Sequence, residues 1–241
     1  MELDRYFYTN KGGRNYNEDS GGFREEQGHG IYVVADGLGG HRCGDMASQC
    51  VVDSLTECWG AAAGQNRVEE LRGNIAAANQ KLLDLQQEQR CIMKSTVVVL
   101  AIDEENAAWA NVGDSRLYYL HRNHICSVTE DHSVSYKKYK SGEITRAQIS
   151  RDEDQSRLLR SLGSEDRCEP DISTPQDVLE PGDAFLLCSD GAWEYLHDLE
   201  ILVDFLKADT AKDWAEMLLM RIITRLDAGN DNLTLLTVIL Q

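Results

Sequence analysis

Three of the most apolar stretches of the chain each end at an aspartate that lies next to a glycine. The three pairs are Asp36-Gly37, Gly113-Asp114 and Asp190-Gly191. A single Asp-Gly pair is usually a turn, but carboxylates gathered at strand ends repel one another unless a cation lies between them. Oxygen ligands without histidine or cysteine select hard cations, chiefly Mg²⁺ or Mn²⁺. Two such ions that share one carboxylate could activate a water molecule and hold a phosphoryl group.

Further charged residues extend this pattern at both ends of the chain. Asp231 comes just before the last apolar stretch, and Glu18 and Asp19 add two acids near the N-terminus. Arg14 precedes Glu18 by four residues. We therefore treat these residues as one candidate set for metal-assisted phosphoryl chemistry.

The elements that must position this set can be predicted from hydrophobic periodicity. Short apolar or β-branched runs predict strands, and apolar residues at steps of three and four predict helices. The predicted strands are 30–35, 95–102, 107–112, 116–121, 124–128, 184–188 and 233–240. One helix is predicted to have Ala47, Val51 and Leu55 on its apolar face, and a second helix Leu71, Ile75 and Leu82. A third helix is predicted around Trp214 and Leu218.

The order of these elements predicts a layered α+β fold. Successive strands follow one another in antiparallel hairpins, and the helices are grouped rather than alternating with strands, which disfavours a doubly wound parallel sheet. No linker interrupts the chain, so residues 1–241 are predicted to form one domain. Residues 131–167 are polar, and we expect a helix there followed by an excursion from the main body.

The charge of the chain excludes several classes of partner. Lysine and arginine number 24 against 41 aspartates and glutamates, a formal net charge of −17. A nucleic-acid binder, including a nuclease using the same carboxylates, normally has a basic surface, and an anionic membrane would repel this chain. No apolar run is long enough to span a membrane, and no signal peptide is evident. Seven cysteines without a C-x-x-C pair predict free thiols and a cytoplasmic location.

Taken in order, the motifs resemble the metal-dependent protein phosphatases of the protein phosphatase 2C type, and their bacterial members in particular. They read Gly-x-Arg-x-x-Asn-Glu-Asp, Val-Ala-Asp-Gly-x-Gly-Gly, Ala-Asn-Val-Gly-Asp-Ser-Arg, Thr-Glu-Asp-His-Ser, Leu-Gly, Cys-Ser-Asp-Gly and Asp-Asn-Leu-Thr. Their positions are 12–19, 34–40, 110–116, 129–133, 162–163, 188–191 and 231–234. Each motif is short, but together they extend over nearly the whole chain.

The resemblance implies a four-layer α-β-β-α sandwich with two central antiparallel sheets. It also implies a protein serine/threonine phosphatase that uses two Mn²⁺ or Mg²⁺ ions and a weaker third. In this mechanism a water or hydroxide that bridges two ions attacks the phosphorus directly, without a phosphoenzyme intermediate. The expected substrates are phosphorylated proteins, including a serine/threonine kinase and its substrates in bacterial signalling, and the expected state is a monomer.

By the same resemblance, each candidate residue receives a role. Asp36 bridges two ions, Asp190 and Asp231 complete the first metal site, and Glu18 and the Gly37 carbonyl serve the second. Asp114 belongs to the third metal site, to which Glu194 could add. Asp19 orients water molecules on the ions, and Arg14 binds the substrate phosphate. Some relatives have a histidine after the Asp-Gly pair as a proton donor; Leu38 stands here, and His41 is the nearest candidate.

Two other residue sets follow from the same comparison. Residues 135–160 lie where the family has a flap beside the active site, and Lys137, Lys138, Lys140 and Arg146 give this flap a basic character that could select substrates. His132, in Asp-His-Ser, follows the family pattern, and we expect it to have a structural role.

The residues argue against several other classes of protein. No cysteine has an arginine six positions later, which excludes a cysteine-nucleophile phosphatase, and no P-loop motif is present. No EF-hand spacing supports a structural calcium domain. The main rival is a family member without activity that binds phosphoproteins, but every expected ligand position is acidic here.

Overall fold

The computed structural model describes residues 2–26, 29–39, 43–59, 66–103, 106–226 and 229–241. In this part of the chain the strands are β1 Leu3–Asn10, β2 Asp19–Glu26, β3 His29–Leu38, β4 Lys94–Ser95, β5 Val97–Ile102, β6 Ala107–Val112, β7 Arg116–His121, β8 His124–Val128, β9 Asp171–Ser173, β10 Ala184–Cys188 and β11 Leu233–Leu240. The helices are α1 Cys43–Glu57, α2 Arg67–Gln89, α3 Val134–Lys140, α4 Asp190–Trp193, α5 Asp198–Phe205 and α6 Ala211–Ile223, with a 3₁₀ helix at Arg146–Arg151.

The strands form two antiparallel sheets. The first sheet has the order β1-β11-β10-β7-β8, and the second has the order β2-β3-β5-β6-β9, with β4 paired to β3. All recorded strand pairs are antiparallel. The predicted α+β fold with two antiparallel sheets and flanking helices is thus confirmed.

Three apolar layers hold the sheets and helices together. Between the sheets lies a core that includes Tyr32, Trp109, Phe185 and Leu236. Helices α1 and α2 bury their apolar faces against the second sheet, and helices α5 and α6 pack against the first. Because strands β5, β6, β7 and β10 are covered on both faces, all their residues are buried, which explains why β5 and β10 are continuous apolar runs.

Most predicted elements are observed close to their predicted bounds. The predicted strand 95–102 is divided at Thr96, whose backbone and side chain both hydrogen bond to Asp36. The hairpin between β7 and β8 turns at Arg122 and Asn123, which have φ angles of 49° and 64°. Two successive residues with positive φ match the right-handed twist of the strands that they join.

Strands β1, β2 and β9 were not predicted. All three lie at the edges of their sheets, and none of their residues is buried except Asp19. An edge strand buries little side-chain surface, so its sequence has only a weak apolar pattern. The predicted helix-face residues Ala47, Val51 and Leu55 are all buried on α1.

The predicted polar excursion contains α3 and the 3₁₀ helix. Its basic residues are largely engaged by acids of the same chain. Lys138 binds Asp152 and Asp154, each at 2.9 Å, and Lys140 binds Glu130 at 2.6 Å. The expectation that these lysines select substrates is therefore weakened, because their charges are already compensated.

Two composition-based predictions can also be compared with the structure. All seven cysteines are free thiols, as predicted. Among the helices in the described residues, none combines the length and apolar character needed to cross a membrane.

Candidate metal centre and active site

A cleft of about 230 Å³ lies where the ends of the two sheets meet. Both sheets and the loops between them contribute residues to it. The candidate residues that line it are Arg14, Glu18, Asp36, Gly37, Asp114, Asp190 and Asp231. The structure thus brings together residues from positions 14 to 231 that the sequence motifs had singled out separately.

Asp36 lies near the end of β3 and is fixed through its backbone. Its N–H donates to Thr96 Oγ1 at 2.9 Å, and its carbonyl accepts from the Thr96 N–H at 2.8 Å. The next residue, Gly37, packs against the first turn of α1 so closely that a Cβ there would lie 1.9 Å from the Gly44 carbonyl oxygen. The Asp-Gly pair is therefore required by the packing of α1 against β3 as well as by any chemistry at the cleft.

Glu18 directly precedes β2, and Asp19 is the first residue of β2. Both lie beside the end of β3. The Glu18 N–H donates to Asn232 Oδ1 at 2.7 Å, and its carbonyl accepts from the Gly37 N–H at 3.0 Å. Asp19 is opposite Asp36 in the β2–β3 register and is only 5% exposed. Ser189 Oγ donates to Asp19 Oδ2 at 2.7 Å, whereas Asp19 Oδ1 is buried without a hydrogen-bond partner.

Asp190 and Asp231 come from the first sheet. Asp190 is the first residue of α4, directly beyond β10, and Asp231 lies just before β11. Arg14 Nη2 donates to Asp231 Oδ2 at 2.6 Å, and the Asn232 N–H donates to Asp231 Oδ1 at 2.8 Å. The Arg14 side chain is 56% exposed, so its guanidinium lies at the mouth of the cleft.

Asp114 and Glu194 form the far side of the site, next to Trp193. Trp193 Nε1 donates to the Asp114 carbonyl at 2.9 Å, and the Arg116 guanidinium lies 3.5 Å from the centre of the Trp193 ring. From the segment 135–160, Gln155 Nε2 donates to Asp190 Oδ2 at 3.4 Å. This segment thus contacts one of the cleft carboxylates directly.

Like charge and burial raise the pKa of these carboxyl groups. Burial and the neighbouring aspartates hold the pKa values of Asp36 and Asp114 well above their usual range. The same causes raise the pKa of Asp19 to about 7 and that of Asp190 to about 6. Burial and Asp190 raise the pKa of Glu194 to about 8. Raised pKa values in a group of neighbouring carboxyl groups are typical of a site that is completed by a cation.

The donor set fits hard divalent cations. The candidate ligands are all oxygen atoms, which Mg²⁺ and Mn²⁺ prefer, and the unpartnered Asp19 Oδ1 could accept a hydrogen bond from a water molecule in the cleft. Within the described residues, however, no three His, Cys, Asp or Glu side chains already converge as a ready ligand group. Arg14 Nη2 contacts one of the two Asp231 carboxylate oxygens, so a cation bound at that oxygen would compete with this ion pair.

The two histidine expectations have different outcomes. His41 lies outside the described residues. His132 is buried, its Nδ1 accepts from the Gly113 N–H at 3.2 Å, and its Nε2 lies 3.1 Å from Asp171 Oδ2. Burial lowers the pKa of His132. It therefore links the turn before Asp114 to β9, in agreement with the structural role expected for it.

Several residues that shape the site were not assigned roles from the sequence. Asn232 donates to the carbonyls of Lys11 and Tyr16, each at 2.9 Å, and accepts from the Glu18 N–H. It thereby joins the two ends of the chain. Asn232 falls within the Asp-Asn-Leu-Thr motif, a signal that could have been used, whereas no pattern in the sequence points to Thr96 or Gln155.

The chain is similar to known proteins over most of its length. Residues 12–219 match the sequence profile of the family described as protein phosphatase 2C. A serine/threonine phosphatase, stp, from Listeria welshimeri is 33% identical over 243 residues, covering 96% of this chain and 94% of that protein. The chain therefore belongs to the protein phosphatase 2C family.

Solved structures show the same fold over the full chain. The serine/threonine phosphatase Stp1 from Staphylococcus aureus is 29% identical with a TM-score of 0.87, covering 100% of this chain and 96% of that chain. The S. agalactiae serine/threonine phosphatase is 27% identical with a TM-score of 0.86, covering 100% of both chains.

Proposed function

We propose that the cleft is the active site of a metal-dependent protein serine/threonine phosphatase, acting on phosphoserine and phosphothreonine in proteins. The observation that supports this most directly is that four aspartates, one glutamate and one arginine line one cleft. Membership in the protein phosphatase 2C family supports the same reaction. Residues 1–241 then act as one catalytic domain, with residues 135–160 as a flap beside the cleft.

The metal ligands are proposed residue by residue. Asp36 would be shared by two Mn²⁺ or Mg²⁺ ions, Asp190 and Asp231 would complete the first site, and Glu18 and the Gly37 carbonyl would hold the second. Asp114 holds a weaker third ion, with Glu194 as a further ligand. When bound, these ions neutralise the carboxylates and lower the pKa of water in the cleft so that it can attack phosphorus without a phosphoenzyme intermediate.

The chain's own residues orient the reactants. Arg14, at the mouth of the cleft, exchanges part of its contact with Asp231 for two phosphate oxygens and stabilises the charge that develops on them. Asp19 is held by Ser189 through one oxygen, so its other oxygen is free to accept a hydrogen bond from water and orient it. Thr96 and Asn232 fix the backbone on either side, which keeps the carboxylates in register.

The substrates are phosphorylated proteins, and we propose that they include a serine/threonine kinase and that kinase's own targets. The chain is proposed to act as a monomer in the cytoplasm, without nucleic-acid or membrane partners. The net charge of −17 supports the exclusion of nucleic acid and of anionic membranes.

Phosphate release from a phosphothreonine peptide tests this function. Wild type is expected to release phosphate with Mn²⁺ and to stop when a chelator is added. Asp190→Asn is expected to lose turnover while remaining folded, because it removes a ligand and leaves a side chain of the same size. Asp166→Asn, at an exposed aspartate outside the cleft, is the matched control.

Two results would contradict the proposal. Turnover that is unchanged by chelator would exclude metal-dependent hydrolysis. Folded, Mn²⁺-loaded wild type that releases no phosphate from several phosphopeptides, yet binds them, would instead identify a phosphoprotein-binding module.

A further inference from the structure

A second groove, of about 400 Å³, lies beside the catalytic cleft, between the 3₁₀ helix of the flap and helices α4 and α5. Trp193 and Leu196 are buried at its base, with exposed fractions of 3% and 8%. Ala147 on the flap and Leu199 on α5 line it from opposite sides, and Leu199 is 75% exposed. An exposed leucine facing an apolar base is a surface that gains free energy when another apolar group covers it.

Two polar contacts tie the flap to the main body on either side of this groove. Arg146 Nη2 lies 3.0 Å from Asp198 Oδ2 and joins the 3₁₀ helix to α5. Gln155 joins the flap to Asp190. Arg146 and Asp198 compensate each other, and Arg116 is paired with Asp131 at 2.7 Å. Ser150, Glu194 and His197 also line the groove, so an apolar base is bordered by polar side chains.

The groove is adjacent to the catalytic cleft, and the segment from Asp190 to Glu194, which includes α4, connects the two. Asp190 lines the cleft and Glu194 lines the groove, and the Glu194 N–H donates to the Asp190 carbonyl at 3.0 Å. The two residues are therefore one helical turn apart, about 5.4 Å along the axis. A peptide in extended conformation advances about 3.3 Å per residue. A side chain about two to four positions from a phosphoresidue in the cleft can thus reach the groove.

We propose that this groove binds a large aliphatic or aromatic side chain of the phosphoprotein substrate, about two to four positions from the phosphoresidue. This inference rests on the proposed phosphatase function, since the cleft defines where the phosphoresidue lies. Leu199 and Ala147 are then specificity-determining residues, and the flap selects substrates through an apolar contact rather than through its lysines. The groove lies next to the cleft through the neighbouring residues Asp190 and Glu194, which favours the substrate chain over any other occupant.

A peptide panel tests the inference. Phosphothreonine peptides of equal charge carry leucine or serine at each position from four before to four after the phosphoresidue, and kcat/KM is measured with Mn²⁺. Wild type is expected to prefer leucine by about tenfold at one position, the size of effect that apolar pockets give. Leu199→Glu and Ala147→Glu are each expected to bring this ratio close to one, because a carboxylate in the groove opposes apolar burial.

The ratio of the kcat/KM values for two peptides, measured on one enzyme preparation, does not change when part of the protein is unfolded or lacks metal. It therefore reports specificity alone. Met220→Glu is the matched control, since Met220 is 62% exposed on α6 and does not line the groove; its ratio should equal that of wild type. Equal turnover of leucine and serine peptides at every position would overturn the inference. So would a preference that persists in both groove variants. If wild type hydrolyses no phosphopeptide at all, the phosphatase function itself fails, and the inference fails with it.

Discussion

Asp36 illustrates how a functional residue can oppose stability at the scale of a single side chain. Its backbone is fixed by Thr96, while its carboxyl group lies among other acids that raise its pKa well above the usual range. The position is therefore set by hydrogen bonds that do not depend on the carboxylate. Replacing only the charge should leave the local backbone in place.

We expect Asp36→Asn to lose at least about a hundredfold in turnover and to raise the melting temperature of the protein in chelator, because it removes repulsion among the carboxylates. The same variant should lose most of the stabilisation that Mn²⁺ gives to wild type, since ligand binding stabilises only the form that binds it. Thermal unfolding with and without Mn²⁺ measures both effects.

Asp166→Asn serves as the control, because it removes an exposed charge outside the cleft. An Asp36→Asn protein that melts lower than wild type in chelator would show that the Asp36 carboxylate has a structural role. A full Mn²⁺ shift in that variant would exclude Asp36 as the shared ligand.

At this scale the sequence identified the charged residues of the cleft but not the residues that hold them. An aspartate that follows an apolar strand and lies beside a glycine is visible as a pattern in the sequence. Thr96, Asn232 and Gln155 act through hydrogen bonds to distant segments. Nothing local marks such a residue, since its partner is set by the fold.

The hairpin between β7 and β8 is the element whose turn chemistry is most readily tested. Asn123 has a φ of 64°, a conformation that asparagine and glycine tolerate better than residues with larger or branched side chains. We expect Asn123→Ala to lower the free energy of unfolding by about 1 kcal/mol. Asn123→Gly should preserve or raise it, and neither change should affect turnover. Urea denaturation of both variants measures the difference, and equal stability of the alanine and glycine variants would contradict it.

Helices α5 and α6 are joined by a charge cluster that makes their packing sensitive to acid. Glu200, near the start of α5, accepts from Arg225 Nη1 at 2.7 Å and from Arg221 Nη1 at 3.2 Å. Hydrogen bonds from Arg225 lower the pKa of Glu200 to about 2. A carboxyl group whose pKa is lower in the folded protein stabilises the fold at pH values above its ordinary pKa and loses that contribution as the pH falls toward 2.

We therefore expect Glu200→Gln to lower the free energy of unfolding by about 1–2 kcal/mol at pH 7, allowing for partial solvent screening. The deficit should shrink as the pH falls below about 4.5, where the unfolded wild type takes up a proton before the folded form does. Urea denaturation at pH 7 and pH 3 measures the change. Glu216→Gln, which removes an exposed pair with Lys212 at 3.6 Å, should show little deficit at either pH. A Glu200→Gln deficit that is equal at both pH values would refute this account.

Elements in the interior were easier to predict than those at the margins. Strands β5 and β10 are buried on both faces, so each appears as an unbroken apolar run. Strand β2 contains two glycines and four charged residues, and it pairs with β3 on one side only. Its conformation is imposed by that neighbour, which local sequence cannot reveal.

The charge of the whole molecule affects how substrates approach. The protein has a formal charge of −17. At long range this net charge repels acidic peptides, because the positive charge of the cations at the site acts only locally. We expect kcat/KM for an acidic phosphopeptide to rise several-fold as NaCl increases from about 20 to about 200 mM. For a basic phosphopeptide of equal length the change should have the opposite sign. Parallel salt dependence of the two peptides would show that long-range charge does not govern their association.

The ion pair between Arg14 and Asp231 joins residues 217 positions apart, and β1 lies beside β11 along its whole length. This pairing has a consequence for biosynthesis. A ribosome must release β11 before this strand can pair with β1, and only then can Asp231 reach the cleft. A nascent chain that lacks β11 should therefore have no hydrolytic activity, however well its earlier segments have folded.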